Sequence, residues 1–277
     1  MRVDAATHYE EITDVWKELM GDNFHFGYFE TEDMDLPQAT QTMIEKLLEP
    51  CNVSKESRIL DVGCGIGGPA FYIHERHHCT IDGISTSQKG IQAANQVCMI
   101  KGYEKVRFKV ADGINNGFPD NTFDIIWIME ASHLIPDKKT LFQECFRVLK
   151  KGGRLAMCDL VQLKAHPHKG LWRLIRAIHQ FLAPPKVWGP VYLPTIGNLC
   201  DQLMEAGFTQ VYAVDISNRV IPTLRYWREN ALRFRDRETN ESSRQYADDF
   251  INGCVVLENA YKAGTMKYGM LFSAKER

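Results

Sequence analysis

Ile59-Leu60-Asp61-Val62-Gly63-Cys64-Gly65-Ile66-Gly67-Gly68 is an apolar run that ends on an acid and opens into a cluster of glycines. Glycine lets a backbone turn sharply and approach a ligand where any Cβ would collide. Residues 69–77 then read as a helix, and a helix N-terminus offers N–H groups that have no partner within the helix. A strand that stops at a glycine turn and hands over to a helix is the nucleotide-binding corner of an α/β protein. Gly63, Gly65 and Gly68 also satisfy G-x-G-x-x-G, the dinucleotide fingerprint. The motif alone therefore leaves the cofactor open.

Outward from this corner the pattern alternates. Residues 58–62, 80–84 and 106–111 read as strands, and 87–101 as a helix with Ser85 or Thr86 as its N-cap. Residues 123–129 form a continuous apolar run, expected of a parallel strand covered on both faces. A helix over 138–148 stops at Lys151-Gly152-Gly153, and a strand follows over 154–160. Further helices are expected over 195–206, 219–237 and 246–262, and further strands over 209–216 and 268–274. The alternation predicts an α/β fold with a doubly wound, mostly parallel sheet of seven strands.

Upstream, Tyr9, Ile12, Val15, Trp16 and Leu19 recur at helical spacing, as do Met43, Leu47 and Leu48. Between them lies an aromatic turn, Phe24-His25-Phe26-Gly27-Tyr28-Phe29. We expect an N-terminal helical lid segment over 1–50 and the main domain over 51–277. Two stretches, about 161–194 and 217–265, are too long for plain connectors. They predict helical caps over the carboxyl edge of the sheet, where ligands bind in this architecture.

The chain has 277 residues, enough to bury a full core, with 44% hydrophobic and 25% charged residues, as in an ordinary soluble globular protein. A net charge of −2 gives no general attraction for nucleic acid or for anionic membranes. No uncharged apolar run approaches the roughly 20 residues of a membrane span, and residues 1–11 mix acids and bases unlike a signal peptide. Eight cysteines without a C-x-x-C pair read as reduced, mostly buried thiols of a cytoplasmic protein, with no zinc site. His74, His77, His78 and Cys79 read as a helix end before a strand, so no metal is expected there.

A dinucleotide enzyme needs an acid about 20 residues beyond the glycines to hold a ribose. Asp82 is the candidate, but it lies inside a strand, with Ser85 where the chain emerges. Four further motifs follow in order: Ala111-Asp112-Gly113; Phe118-Pro119-Asp120-Asn121-Thr122-Phe123-Asp124; Glu130-Ala131-Ser132-His133-Leu134-Ile135-Pro136-Asp137; and Arg147-Val148-Leu149-Lys150-Lys151-Gly152-Gly153. Over about residues 55–160 this series resembles the class I S-adenosylmethionine-dependent methyltransferases, whose fold is Rossmann-like. The aromatic turn, Gly83-Ile84-Ser85-Thr86-Ser87-Gln88 and Glu130…His133 resemble the small-molecule branch, with its tocopherol, sugar-on-indolocarbazole and polyketide methyltransferases.

The resemblance implies that S-adenosylmethionine is the cofactor. It implies Asp61, Gly63 and Gly65 at the methionine end, Ser85 and Gln88 by the ribose, Asp112 by the adenine amine, and Ala111 and Gly113 beside the ring. Many members carry an acid where this chain has Ser85. Glu130 is placed on the cofactor side or near a substrate amine. A sulfonium beside Phe26, Tyr28 or Phe29 would gain about 0.5–2 kcal/mol from the ring quadrupoles. These aromatics would also serve as a plain hydrophobic lid, and Tyr28 is taken as the cofactor contact.

Methyl transfer is an in-line displacement, and alignment alone can supply about 7–11 kcal/mol. A base that removes a proton from a hydroxyl acceptor adds about 10²–10⁴-fold. His133, just after strand four, is the candidate base. Asp159, at the end of strand five, would orient and charge-stabilise its ring, a pairing that the resemblance to sugar-methylating enzymes also implies. The plainer roles are a capping or substrate-positioning histidine and a strand-end acid.

Lys164, His166, His168, Lys169, Arg173, Arg176 and His179 form a basic stretch without an acid, either a solvated helix face over 170–181 or a site for an anionic acceptor. Trp172, Phe181, Trp188, Tyr192, Tyr226 and Trp227 would furnish an apolar pocket. The resulting expectation is methyl transfer to a small, largely apolar natural-product or lipid-like acceptor, favouring oxygen. C- or N-methylation, including that of an isoprenoid alkene, and a cofactor-retaining cyclase on the same fold are the alternatives. An NAD(P)-dependent oxidoreductase stands behind them. No nucleic-acid partner or membrane insertion is expected, and assembly into a homo-oligomer is left open.

Overall fold

A computed structural model describes residues 15–21, 23–163, 187 and 191–276. One seven-stranded sheet organises them, in the order β3-β2-β1-β4-β5-β7-β6. The strands are β1 (Arg58–Val62), β2 (Thr80–Ser85), β3 (Val106–Val110), β4 (Phe123–Met129), β5 (Leu149–Gln162), β6 (Thr209–Asp215) and β7 (Met266–Ala274). β7 runs antiparallel to both β5 and β6, and every other pairing is parallel. Chain order reverses between β1 and β4, which pair through Asp61 and Trp127. Such a switch point opens a crevice at the carboxyl ends of its two strands.

The period of two along a strand divides the core. Ile59 and Trp127 face one layer, with Trp16, Met43, Leu47 and Trp227. Leu60, Ile126 and Ile128 face the other, with Leu141, Phe142 and Leu199. Covered on both faces, β4 keeps the continuous apolar run seen in its sequence.

Helices flank the sheet at α1 (Leu36–Leu48), α2 (Gly68–His77), α3 (Gln88–Lys101), α4 (Lys138–Val148), α5 (Ile196–Glu205), α6 (Ser217–Val220), α7 (Thr223–Arg237) and α8 (Glu241–Lys262); residues 15–20 are also helical. Several boundaries differ from expectation, four of them for identifiable reasons. Ser87, not Ser85 or Thr86, caps α3, because its Oγ accepts from the Gly90 N–H at 3.0 Å. β5 begins at Leu149 and ends at Gln162, its far half extended by a nine-residue pairing with β7. The helix expected over 219–237 breaks at Pro222, whose missing N–H suits the start of α7 but not a helix interior. α8 starts at Glu241, five residues before the expected 246, because Asn240 Oδ1 accepts from the Ser243 N–H at 3.0 Å.

All eight cysteines are free thiols, seven of them buried. His78 ends α2 in a left-handed conformation, and His74 Nδ1 lies 2.8 Å from the Cys79 carbonyl oxygen. Among the described residues no helix is long and apolar enough to cross a membrane. The basic stretch 164–179, the helix expected over 170–181, Tyr9, Ile12, Trp172, Phe181 and Trp188 lie outside the described residues.

Candidate active site

At the switch point the glycine turn forms the floor of a cleft walled by Asp61, Met129 and Glu130, with Phe24 and His25 across from them. Gly63 has φ +85°, and a Cβ there would lie 2.2 Å from the Ala131 Cβ. Gly65 has φ +54° with nothing within 4 Å of such a Cβ, so its side-chain space belongs to the cleft. The two glycines thus do different work: one lets β1 pack against the exit of β4, and the other keeps the cleft open.

Asp61 is 4% exposed, and burial pushes its carboxyl up to about 7. Burial does the same to Glu130, likewise to about 7, with the hydrogen bonds from Tyr268 and Phe26 pulling the other way. Glu130 Oε1 accepts from the Phe26 N–H at 2.7 Å and the Tyr268 hydroxyl at 2.5 Å. Its own backbone is left-handed, φ +50°, the sharp exit from β4. Opposite, His25 Nδ1 donates to the Phe26 carbonyl at 2.9 Å, and its buried Nε2 has no partner. Burial pushes the His25 imidazole down to about 4, which keeps it neutral.

Among the described residues that line this cleft, none is a lysine or arginine. A buried and a half-buried carboxylate without a cation in the cleft lining suit a positively charged ligand group and oppose a pyrophosphate. Asp82, the ribose acid a dinucleotide would need, is engaged elsewhere: Arg58 holds it through Nε and Nη2, both at 2.8 Å. The donor set therefore fits an adenosyl sulfonium and does not fit a dinucleotide.

The expected ribose and adenine contacts gather at the neighbouring strand ends. Ser85 Oγ, half-buried at the end of β2, accepts from the Ser87 N–H at 3.2 Å, and Gln88 is exposed in the first turn of α3. The Ala111 N–H donates to the Ser85 carbonyl at 3.1 Å, joining the two strand exits. Exposed Asp112 uses Oδ1 to accept from the Ile114 N–H at 3.1 Å, and a Cβ on buried Gly113 would lie 2.9 Å from Val62 Cγ1. Tyr28 stands apart from the cleft lining: its ring lies 5.9 Å from Lys46 Nζ and 5.8 Å from the Arg219 guanidinium carbon.

His133 and Asp159 meet. Beyond Glu130 the chain makes a one-turn 3-10 helix, Ser132–Leu134, over the end of β5. Asp159 is fully buried and accepts four hydrogen bonds: from His133 Nδ1 at 2.7 Å, the Leu160 N–H at 2.8 Å, the His133 N–H at 2.9 Å and Ser132 Oγ at 2.5 Å. Burial alone would raise its carboxyl, but His133 and these donors hold it below the ordinary value. Burial likewise disfavours a charged His133, yet the Asp159 carboxylate outweighs it and raises the imidazole above its ordinary value. With Nδ1–H committed to Asp159, Nε2 is the nitrogen with a lone pair to offer.

Other contacts had no sequence signal. Ser132, Tyr268 and Lys138 join the site through pairings of distant segments. His25 was visible only as part of the aromatic turn. Two of the aromatics expected to form a pocket are instead structural. Trp227 is buried against Phe26, ring centroids 4.6 Å apart, and Tyr226 stacks on Phe29 while its hydroxyl donates to the Met34 carbonyl at 2.8 Å. Tyr192 meets the site through its backbone: its N–H donates to the His133 carbonyl at 2.7 Å, while its side chain is partly exposed.

Comparison with known proteins adds to this geometry. Residues 60–157 match the family described as Methyltransferase domain. The 27-O-demethylrifamycin SV methyltransferase of Amycolatopsis mediterranei is 30% identical over 227 residues, covering 82% of this chain and 80% of the relative. The chloroplastic tocopherol O-methyltransferase of Arabidopsis thaliana is 32% identical over 168 residues, covering 56% of this chain but only 48% of that protein, so this chain spans about half its length. The solved structure of a cyclopropane synthase from Mycobacterium tuberculosis superposes with a TM-score of 0.83 at 19% identity, covering 98% of this chain and 97% of the other.

Proposed function

The chain belongs to the class I S-adenosylmethionine-dependent methyltransferases, and from that premise we propose that it methylates a hydroxyl oxygen of a small, largely apolar acceptor with His133 as general base. The single observation that carries this reading is the 2.7 Å contact between His133 Nδ1 and a fully buried, four-times-bonded Asp159. A carboxylate so held fixes both the ring and its tautomer, and it offsets the charge the ring acquires on taking a proton. The two O-methyltransferase relatives support oxygen as the accepting atom.

When bound, S-adenosylmethionine supplies a methyl group already activated on a sulfonium. Asp61, Gly63, Gly65 and Glu130 would hold its methionine end, Ser85 and Gln88 its ribose, and Asp112, Ala111 and Gly113 its adenine. The chain itself aligns the acceptor, excludes water and moves one proton. His133 Nε2 takes the hydroxyl proton as the oxygen becomes nucleophilic, and Asp159 stabilises the resulting imidazolium without being protonated itself. In this reading Tyr28 secures the aromatic segment rather than touching the cofactor.

The test uses cofactor carrying a ¹³C-methyl group and a panel of hydroxylated polyketide and phenolic acceptors. Release of S-adenosylhomocysteine reports turnover, and the shift of the labelled methyl resonance in the product identifies the atom that received it. An O-methyl product, with His133→Ala slowed about 10²–10⁴-fold, is expected. A methyl on carbon or nitrogen, made equally well by His133→Ala, would sink the proposal. So would conversion of an acceptor with the cofactor unconsumed, the signature of a cyclase.

A further inference from the structure

Lys138 is buried, 5% exposed, in the first turn of α4. This position is unfavourable twice over: burial opposes an ammonium, and the positive end of a helix dipole repels one. It is nonetheless occupied by a lysine whose ammonium makes two hydrogen bonds, both to backbone carbonyls. Nζ donates to the Ile135 carbonyl at 2.9 Å and the Tyr192 carbonyl at 2.8 Å. Tyr192 in turn donates its N–H to the His133 carbonyl at 2.7 Å. Two residues on, the Pro194 carbonyl accepts from the Gln162 N–H at 2.9 Å, at the end of β5. The ammonium is thus the cross-link between the turn that carries His133 and the strand-like segment returning from the insert.

We propose that Lys138 is a positioning residue for His133: it clamps the 132–135 turn to the Tyr192 segment and brings a positive charge to that turn. This rests on the reading of His133 as the base. Three charged groups act on that ring: Asp159, in contact with Nδ1 at 2.7 Å, and Glu130 at the exit of β4 favour the imidazolium, and Lys138 on α4 opposes it. A base must be free of its proton before it can accept one, so a dyad with only carboxylates around it would start reaction in the wrong state. Lys138 counterweights them, and its two carbonyl partners fix where its ammonium stands.

The experiment is a histidine NMR titration of the full chain, with the His133 resonance identified by its loss in His133→Asn. It is run on the unsubstituted protein and on Lys138→Met, Lys138→Gln and Lys138→Arg, alongside acceptor kinetics. Removing the charge in Lys138→Met and Lys138→Gln moves the His133 midpoint to higher pH, and Lys138→Arg leaves it near its starting point. In Lys138→Met, kcat/KM for the acceptor falls by about tenfold or more, the equivalent of one lost hydrogen bond from a charged donor. The acid limb of kcat moves with the midpoint, and S-adenosylmethionine affinity holds.

A His133 midpoint unmoved in both neutral variants would overturn the proposal and reduce Lys138 to a packing residue. Lys138→Gln keeps a donor at the site, so the Gln–Arg pair carries the test if Lys138→Met does not fold. Full turnover in His133→Ala would fell the base itself. The titration midpoint reads the Lys138 charge independently of that result.

Discussion

Glu130 accepts a hydrogen bond from the backbone N–H of Phe26 at 2.7 Å, joining residues 104 positions apart in the chain. The exit of β4 is thereby tied to the aromatic segment, and an acid that lines the cleft also holds that segment in place. Truncating Glu130→Ala leaves the Phe26 N–H without its acceptor and the Tyr268 hydroxyl with only the Cys158 sulfur, 3.4 Å away. We expect a loss of about 1–3 kcal/mol in stability together with weaker S-adenosylmethionine binding. Glu130→Gln, which retains an acceptor oxygen, should lose less of both. Urea denaturation and calorimetric titration check this, and an Ala variant matching the parent in both would refute it.

Asp61 and Glu130 both carry carboxyls raised to about 7 by burial. A carboxyl raised on folding binds its proton more tightly in the native state than in the unfolded one. Its contribution to stability is therefore fully present below the unfolded value near 4 and is lost as pH rises through about 7. A bound cation reverses the preference, so S-adenosylmethionine affinity should rise over the same interval, with protons released on binding. Titrations in buffers of different ionisation enthalpy measure that release directly. Affinity independent of pH between 6 and 8 would contradict the assignment of these two acids, whose carboxyls lie at about 7.

The Asp159 carboxyl is held below its ordinary value, which gives the opposite sign: its stabilisation is present above the unfolded value and is lost as pH falls through the lowered one. The His133 imidazole is raised, so the acid limb of kcat should have its midpoint above the ordinary histidine value of about 6.5. Asp159→Asn removes the charge and presents an amide to Nδ1. Its acid limb should move to lower pH while kcat falls at least tenfold. A limb left in place would separate Asp159 from the titrating group.

Two glycine substitutions should part company. In Gly63→Ala the new methyl meets the Ala131 Cβ at 2.2 Å and the backbone is left-handed, so the protein is expected to be destabilised or to misfold. In Gly65→Ala the methyl meets no protein atom within 4 Å. There only the cost of the left-handed backbone applies, about 1–2 kcal/mol, and the methyl projects into ligand space. A folded Gly65→Ala that has lost at least tenfold in cofactor affinity is the expected result, read by thermal melting and titration. Unchanged affinity would place the cofactor elsewhere.

Much of this was legible in the chain because its signals are local. The strand–glycine–helix corner, the two-sided apolar run of β4, the helix over 138–148 and the meeting of His133 with Asp159 all follow from spacing within an alternating fold. What was not legible depends on segments far apart in sequence. Nothing near Tyr28 reports that Lys46 and Arg219 would sit against its ring, and nothing near Trp227 reports that Phe26 would cover it. Nothing in the 138–148 helix sets Lys138 apart, because its partner, the Tyr192 carbonyl, lies 54 residues away in the chain. Helix starts erred where another capping side chain was the better fit: Ser87 one or two residues beyond the expected cap, and Asn240 six residues before the expected first residue.

β7, the last strand in the chain, lies inside the sheet between β5 and β6. On the ribosome, β5 must therefore wait with a bare hydrogen-bonding edge until residues 266–274 have left the exit tunnel, and β6 has no strand to join before then. A nascent chain that already holds the whole glycine corner is still an incomplete sheet with a sticky margin. Removing residues 266–274 should thus act as an aggregation switch rather than a gentle trim, and pausing during synthesis of β7 would raise chaperone occupancy.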